Sequence, residues 1–337
     1  VKPHPGAILP LAITVDIARD VLREAGFDPN VVTLAADSAE APITKELVTN
    51  PNVRIVDYTG GSGFGTWIEE HAKQAKVYTE KAGVNSVIID SVDELKPVTM
   101  NLAFTLSLYS GQMCTTSQNI FIPRNGIKAG GEHLSFDDVA AALVKGVNGL
   151  LGDPARACEV LGAIQNPATA ERIASARKDG GVVLRESEKL SHERFPEARI
   201  HSPLIIRLDA KDRAMFEREM FGPVTYIIAT DDTAQSIELT ASIAREHGAI
   251  TAAIYSTNPD VIAAAEEATA AAGVPLSCNL TGGIYVNQAA AFSDFHVSGG
   301  NPAGNATLCD PSFINGRFHI VQSRQLVPVE ATAHAGV

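Results

Sequence analysis

Short β-branched runs and longer amphipathic stretches take turns along most of the chain, and this alternation limits the possible folds more than any other feature. Strand-length and helix-length segments in alternation form βα units, which assemble into a largely parallel sheet covered by helices. Ala7 to Ala25 carries Leu11, Val15, Ala18, Leu22 and Ala25 at spacings of three and four and stops at Gly26, so it predicts a helix. Strands are expected at 31–34 and 53–58, with a short helix at 41–49 between them and another at 66–76. Further strands are expected at 77–80, 86–90, 119–123, 203–208, 224–229 and 250–255, and helices at 93–108, 135–148, 167–178, 234–246 and 258–271. Residues 292–337 are Gly-rich and irregular, apart from the β-like run His319 to Gln322, of the sort that pairs with a partner subunit.

With 337 residues, 45% hydrophobic and 20% charged, the chain can bury a large core and should form more than one domain. Its net charge of -12 is spread without long runs of one sign, which argues against nucleic acid as a partner. There is no 18-residue uncharged apolar stretch and no basic-then-apolar start, so neither a membrane span nor a signal peptide is expected. Cys114, Cys158, Cys278 and Cys309 lie far apart without a CxxC pair, and read as thiols of a reducing cytoplasm. The nine histidines contain no HExxH or HxH, so no metal site is expected. Val1-Lys2-Pro3-His4-Pro5 lacks an initiator Met and reads like a strand running into a turn, as in a piece of a longer protein.

Four stretches could carry chemistry. Gly60 to Gly65 lies between a strand and a helix, where backbone N–H groups can receive a phosphate; the same run also serves as a tight turn, and its spacing is not G-x-G-x-x-G. Glu80, twenty residues after Gly60, stands at a strand end and suits a ribose-holding acid, a catalytic carboxylate or a cap. Cys114 follows a helix and precedes Thr115-Thr116-Ser117, small polar company in which N–H groups and hydroxyls stabilise a thiolate or an oxyanion. Glu219-Met220-Phe221-Gly222-Pro223 enters a strand and is adequately explained as a helix stop.

Taken in order, these stretches resemble the aldehyde dehydrogenase superfamily. Lys2 looks like its cofactor lysine, Tyr58-Thr59-Gly60-Gly61-Ser62 like its Phe-Thr-Gly-Ser turn and Glu80-Lys81-Ala82-Gly83 like its Glu-Leu-Gly-Gly. Gly111-Gln112-Met113-Cys114 matches its Gly-Gln-x-Cys, and Glu219 to Pro223 its Glu-x-Phe-Gly-Pro. Tyr-Thr-Glu-Lys-Ala-Gly and Ser-Gly-Gln-Met-Cys-Thr-Thr look closest to the branch associated with phenylacetate degradation.

The resemblance implies an α/β fold with a partial Rossmann-type cofactor domain at 1–80, a catalytic thiol domain at 81–300 and an oligomerisation tail at 301–337, in a homodimer or tetramer. It implies NAD(P)-dependent oxidation of an aldehyde or semialdehyde, a CoA-linked one if the phenylacetate likeness holds. Cys114 would be the nucleophile and Glu80 the base that activates water. Lys2 and Glu219 would bind ribose hydroxyls, with His4 beside that lysine; Gly61 and Ser62 would receive the pyrophosphate, and Phe221 would pack near nicotinamide. The backbone N–H of Cys114 would supply half of an oxyanion hole. Pro5 stands where NAD-preferring members often carry a Glu, which favours NADP over NAD. The alternatives are an acylating relative that passes the thioester to coenzyme A, against which Glu80 weighs, and a catalytically silent scaffold of the same fold.

Overall fold

The computed structural model describes residues 1–81, 83–291, 300–305 and 321–326. In chain order the first elements are α1 (Ile8–Glu24), α2 (Thr44–Thr49), β1 (Ile55–Gly60), α3 (Ser62–His71), β2 (Lys76–Lys81), β3 (Ser86–Ile89), β4 (Ser91–Val92), α4 (Leu95–Ser107) and β5 (Asn119–Pro123). Next come β6 (Ile127–Ala129), β7 (Glu132–Leu134), α5 (Phe136–Leu150), α6 (Pro154–Leu161), α7 (Pro167–Asp179), β8 (Val182–Arg185), β9 (Lys189–Leu190), β10 (Ile200–His201) and β11 (Leu204–Asp209). The remainder are α8 (Arg213–Phe216), β12 (Val224–Thr230), α9 (Thr233–His247), β13 (Ala252–Tyr255), α10 (Pro259–Ala271), β14 (Leu276–Cys278), α11 (Val286–Ala291) and β15 (Ser323–Gln325). The chain divides into two units, one of residues 1–58 and 66–77 and the other of residues 59–65 and 78–337.

The second unit is built on an eight-stranded sheet in the order β15-β14-β13-β3-β5-β12-β11-β8. Neighbours run parallel except β8, which is antiparallel to β11. The strands β3, β5 and β12 are buried along their whole length, because helices cover both faces; that is why they read as continuous apolar runs. Successive side chains nevertheless part to opposite sides. Val87, Ile89, Ile120, Ile122 and Ile227 join Leu102, Leu106, Leu143 and Val147 of α4 and α5 in one core. Phe121, Tyr226 and Ile228 join Ile173 of α7 and Ile243 of α9 in another. Each such aliphatic side chain contributes about 1.5–3 kcal/mol by leaving water.

Five helices of the second unit start where the sequence carries a capping residue. The Ser135 side chain accepts from Asp138 N while Asp138 returns the bond, a capping box for α5, and Asp153, Asn166, Asp232 and Asn258 cap α6, α7, α9 and α10. Strands and helices of this unit end within a few residues of their expected places, since buried period-two and period-3.6 patterns leave little freedom of register.

Two expectations in the first unit need correction. Residues 31–34 do not form a strand: Asp28 caps a 3-10 turn at Pro29–Val31, and Val31 is 70% exposed. Among the described residues Val1 N donates to Thr33 O and Ala35 N to Val1 O, and the Arg19 side chain donates to Val32 O, which is too little ladder for a strand. The helix expected at 66–76 instead spans Ser62–His71. Glycine in a first helical turn costs only about 1 kcal/mol of entropy, so Gly63 and Gly65 are tolerated there. The helix closes on the Trp67–His71 ring stack at 4.3 Å, and Lys76 N then donates to Arg54 O as the chain enters β2.

The run at 319–322 lies partly outside the described residues, and the strand that follows it, β15, pairs with β14 of its own chain.

Candidate active site

Glu80 is the penultimate residue of β2, and residues 303–305 brace it. Thr79 N donates to Asn305 Oδ1 at 2.7 Å, Asn305 N to Thr79 O at 2.8 Å and Lys81 N to Ala303 O at 2.5 Å, with an antiparallel bridge between Glu80 and Gly304. A Cβ on Gly304 would lie 2.4 Å from Thr79 O, so the brace can approach only because that residue is glycine.

Cys114 hangs from a strained turn after α4. Tyr109 (φ 54°, ψ 30°), Ser110 (φ 52°, ψ 39°) and Gly111 (φ 66°) are left-handed in succession, a conformation that costs a non-glycine residue about 1–2 kcal/mol. Hydrogen bonds offset the cost. Ser110 Oγ donates to Leu161 O at 3.0 Å, with His201 O 3.2 Å away. Gln112 Nε2 donates to Tyr109 O at 2.8 Å and Ala163 O at 3.1 Å, while its Oε1 accepts from Gln165 N. A Cβ on Gly111 would stand 2.3 Å from Gly222 O, so the Gly-Gln-Met-Cys and Phe-Gly-Pro segments meet backbone to backbone.

Two buried amides that the motif reading did not single out hold these segments. Asn85 Nδ2 donates to Cys114 O at 2.7 Å and Thr116 O at 3.0 Å, and its Oδ1 accepts from Ile250 N and Thr251 N. Gln118 Oε1 accepts from Met220 N at 2.6 Å, and its Nε2 donates to Phe216 O and Arg218 O, which fixes the stretch carrying Glu219. The signal available in sequence was an amide inside an otherwise apolar strand pattern, Val84-Asn85-Ser86-Val87 and Gln118-Asn119-Ile120, since such a group must find partners when buried.

The thiol and carboxylate, 34 positions apart, converge: Cys114 Sγ lies 3.7 Å from Glu80 Oε1. Cys114 and Glu219 line one narrow cleft of about 20 Å³ with Asn85, Thr116 and Phe221, room for roughly one water. Burial, and then the charge of Glu80, push the thiol up to about 11, with the backbone N–H groups of Cys114 and Thr115 acting in the opposite direction. The resting group is therefore a protonated thiol that donates to Glu80 Oε1. Burial likewise lifts Glu219 to about 7, opposed by Arg172, which is held between Thr169 Oγ1 and Phe221 O. Cys158 and Cys278 are buried, the first donating to Ser191 O and the second beside Ser323 Oγ; Cys309 lies outside the described residues.

In the first unit Lys2 Nζ forms a 2.7 Å ion pair with Asp37 Oδ1 and donates to Pro3 O. The ammonium holds the Asp37 carboxyl below its usual range. The exposed His4 accepts from Gly6 N and so caps its own turn. Separately, Gly61 and Ser62 stand where β1 gives way to α3, and a Cβ added at Gly61 or Gly63 would meet nothing within 4 Å. Among the described residues no group of three His, Cys, Asp or Glu side chains could hold a metal ion, and no helix is long and apolar enough to cross a membrane.

Comparisons with known proteins bear on the family and the fold. The family model described as aldehyde dehydrogenase family matches residues 2–302. The crystal structure of an NAD-dependent aldehyde dehydrogenase from Burkholderia multivorans is 57% identical and superposes with a TM-score of 0.89, covering 94% of this chain and 57% of that one. The glyceraldehyde-3-phosphate dehydrogenase of Methanocaldococcus jannaschii complexed with NADP is 21% identical with a TM-score of 0.61, over 83% of this chain and 57% of that one, a likeness of fold. Aldehyde dehydrogenase family 7 member B4 of Arabidopsis thaliana is 21% identical over 262 residues, 76% of this chain and 48% of that protein. The chain thus spans about half the length of the curated relatives it matches.

Proposed function

Because the chain belongs to the aldehyde dehydrogenase family, we propose that its second unit carries the nucleophile and the base for oxidation of an aldehyde to a carboxylic acid. The observation that carries this reading is the 3.7 Å approach of Cys114 Sγ to Glu80 Oε1 beside a water-sized cleft. Glu80 takes the thiol proton as the sulfur attacks the carbonyl carbon, and the backbone N–H of Cys114 receives the negative oxygen of the thiohemiacetal. A bound nicotinamide cofactor supplies the hydride acceptor for this chemistry. Glu80, having passed that proton to solvent, deprotonates the water that hydrolyses the resulting thioester and hands this second proton to the Cys114 sulfur as the acid leaves. The thiol's high pKa keeps the resting sulfur protonated until Glu80 accepts its proton.

For the cofactor we favour NAD. The ion pair of Lys2 and Asp37 offers a donor and an acceptor to ribose hydroxyls, and an ionised carboxylate at that place repels a 2′-phosphate. The absence of a Glu at position 5 pointed instead to NADP; Asp37, distant in sequence, supplies the missing carboxylate. The NAD dependence of the similar Burkholderia multivorans protein supports the same choice. Gly61 and Ser62 would hold the pyrophosphate, and Glu219 and Phe221 would line the nicotinamide end. An aromatic or CoA-linked semialdehyde, suggested by the phenylacetate-branch wording around Glu80 and Cys114, is the substrate class to try first, with 301–337 serving assembly of a homo-oligomer. The test is reduction of NAD by the protein with a panel of such aldehydes, with Cys114→Ala as the control. Turnover that persists in that variant removes the assigned nucleophile.

A further inference from the structure

Glu80 and Cys114 are held by different parts of the fold, and one side chain ties those parts together. Glu80 stands on β2, outside the eight-stranded sheet, whereas Cys114 leads into β5 in the middle of that sheet. Residues 300–305 bridge the gap. Ala303 O accepts from Lys81 N and Gly304 pairs with Glu80, while the buried Ala303 and Ile250 form an apolar contact against which Cys114 packs. Asn301 fixes this segment to the sheet. Its Nδ2 donates to Ala249 O at 2.9 Å and Gly273 O at 2.8 Å, shortly before β13 and β14, and its Oδ1 accepts from Ala249 N at 3.2 Å and Ala303 N at 2.9 Å. Both donors and both acceptor sites of the amide are thus used, and Ala249 is gripped at its N–H and its C=O alike. The backbones meet so closely that a Cβ on Gly248 would lie 2.6 Å from Ala303 N, and one on Gly273 2.5 Å from Gly300 O. The loop that follows Glu80 closes the ring, with Val84 N donating to Gly248 O at 2.8 Å. We propose that Asn301 is a positioning residue: by clasping residues 249 and 273 to 303 it seats the Ala303-Gly304 brace, and so keeps the Glu80 carboxylate beside the Cys114 sulfur.

The role assumes that Cys114 and Glu80 are the reacting pair, and a mutant cycle separates it from mere support of the fold. A residue that only stabilises the fold would, when removed, lower the melting temperature yet leave the effect of Glu80 on the sulfur whole. Charge coupling falls with distance, so a carboxylate released from its brace opposes ionisation of the thiol less. In Asn301→Ala, iodoacetamide alkylation of Cys114 at pH 8 should therefore quicken by about three- to tenfold. In the Glu80→Gln background the same substitution should change the rate by less than about twofold, because the charge it would displace is already gone. Acceleration of equal size in both backgrounds, as loss of burial alone would give, overturns the proposal, and so does an unchanged or slower rate in Asn301→Ala. Should that variant fail to fold, Asn301→Asp retains the acceptor contacts with Ala249 N and Ala303 N and sets an oxygen against the carbonyls of Ala249 and Gly273. Its added charge acts in both backgrounds and drops out of the cycle, so the difference between the backgrounds is read in the same way. Retained turnover in Cys114→Ala would sink the functional reading instead, and leave the alkylation result standing.

Discussion

Replacing Glu80 by Gln should make Cys114 more reactive toward an alkylating agent while abolishing turnover. Unit charges 3.7 Å apart interact by about 1 kcal/mol in a water-like medium and about 4.5 kcal/mol at an effective dielectric near 20. At 1.36 kcal/mol per unit, removing the carboxylate charge lowers the thiol by about 1–3 units from its value of about 11. Thiolate abundance at pH 8 then rises tenfold per unit, but a less basic thiolate is also a weaker nucleophile, so the net acceleration is about 3- to 40-fold. The assay is the rate of iodoacetamide incorporation at Cys114 across pH, read by mass spectrometry of the peptide that bears it, alongside NAD reduction. An unchanged or slower alkylation rate in Glu80→Gln would refute the electrostatic coupling, and turnover near the parent level would refute the role as base.

Glu219, lifted from 4.5 to about 7, disfavours the fold as it ionises: its stabilising contribution is whole below about pH 4.5 and lost as pH rises through about 7. Glu219→Gln should therefore flatten the fall in denaturant midpoint between pH 5 and pH 8, a difference of at most about 3 kcal/mol. Gly304→Ala drives a Cβ to within 2.4 Å of Thr79 O, so the brace on β2 must shift; melting should register a loss of about 1–3 kcal/mol, and turnover should fall more than that loss explains. Gln118→Leu leaves Met220 N and two carbonyls without their partner, with an expected cost of about 1–3 kcal/mol in chemical denaturation and a weakened hold on NAD in titration calorimetry. Asp37→Asn removes the carboxylate paired with Lys2 and should move the NAD-to-NADP ratio of kcat/KM toward NADP by about tenfold; an unchanged ratio would exclude Asp37 as the discriminating group.

The α/β class, the strands β3, β5, β12 and β13 and the helices α4, α5, α7 and α9 were legible in sequence because burial repeats with a fixed period, and a period survives in the order of residues alone; the shorter α6 and α8 were not. The motif words around Glu80, Cys114 and Glu219 were legible for a different reason: each is a run of adjacent residues that resembles a family word in order. What the sequence could not disclose was any interaction whose partner lies far along the chain. The strand expected at 31–34 failed because a strand needs a neighbour, and among the described residues its backbone bonds outside its own turn reach only the chain start. Asp37 beside Lys2, Asn305 beside Thr79 and Asn85 beneath Cys114 join positions 35, 226 and 29 residues apart, and no local pattern marks such pairs. The residue types at 80 and 114 settled that a carboxylate and a thiol were available. Only the tertiary structure decided that they stand 3.7 Å apart with the sulfur still protonated, because that depends on desolvation and on a neighbouring charge, and both are properties of the folded surroundings.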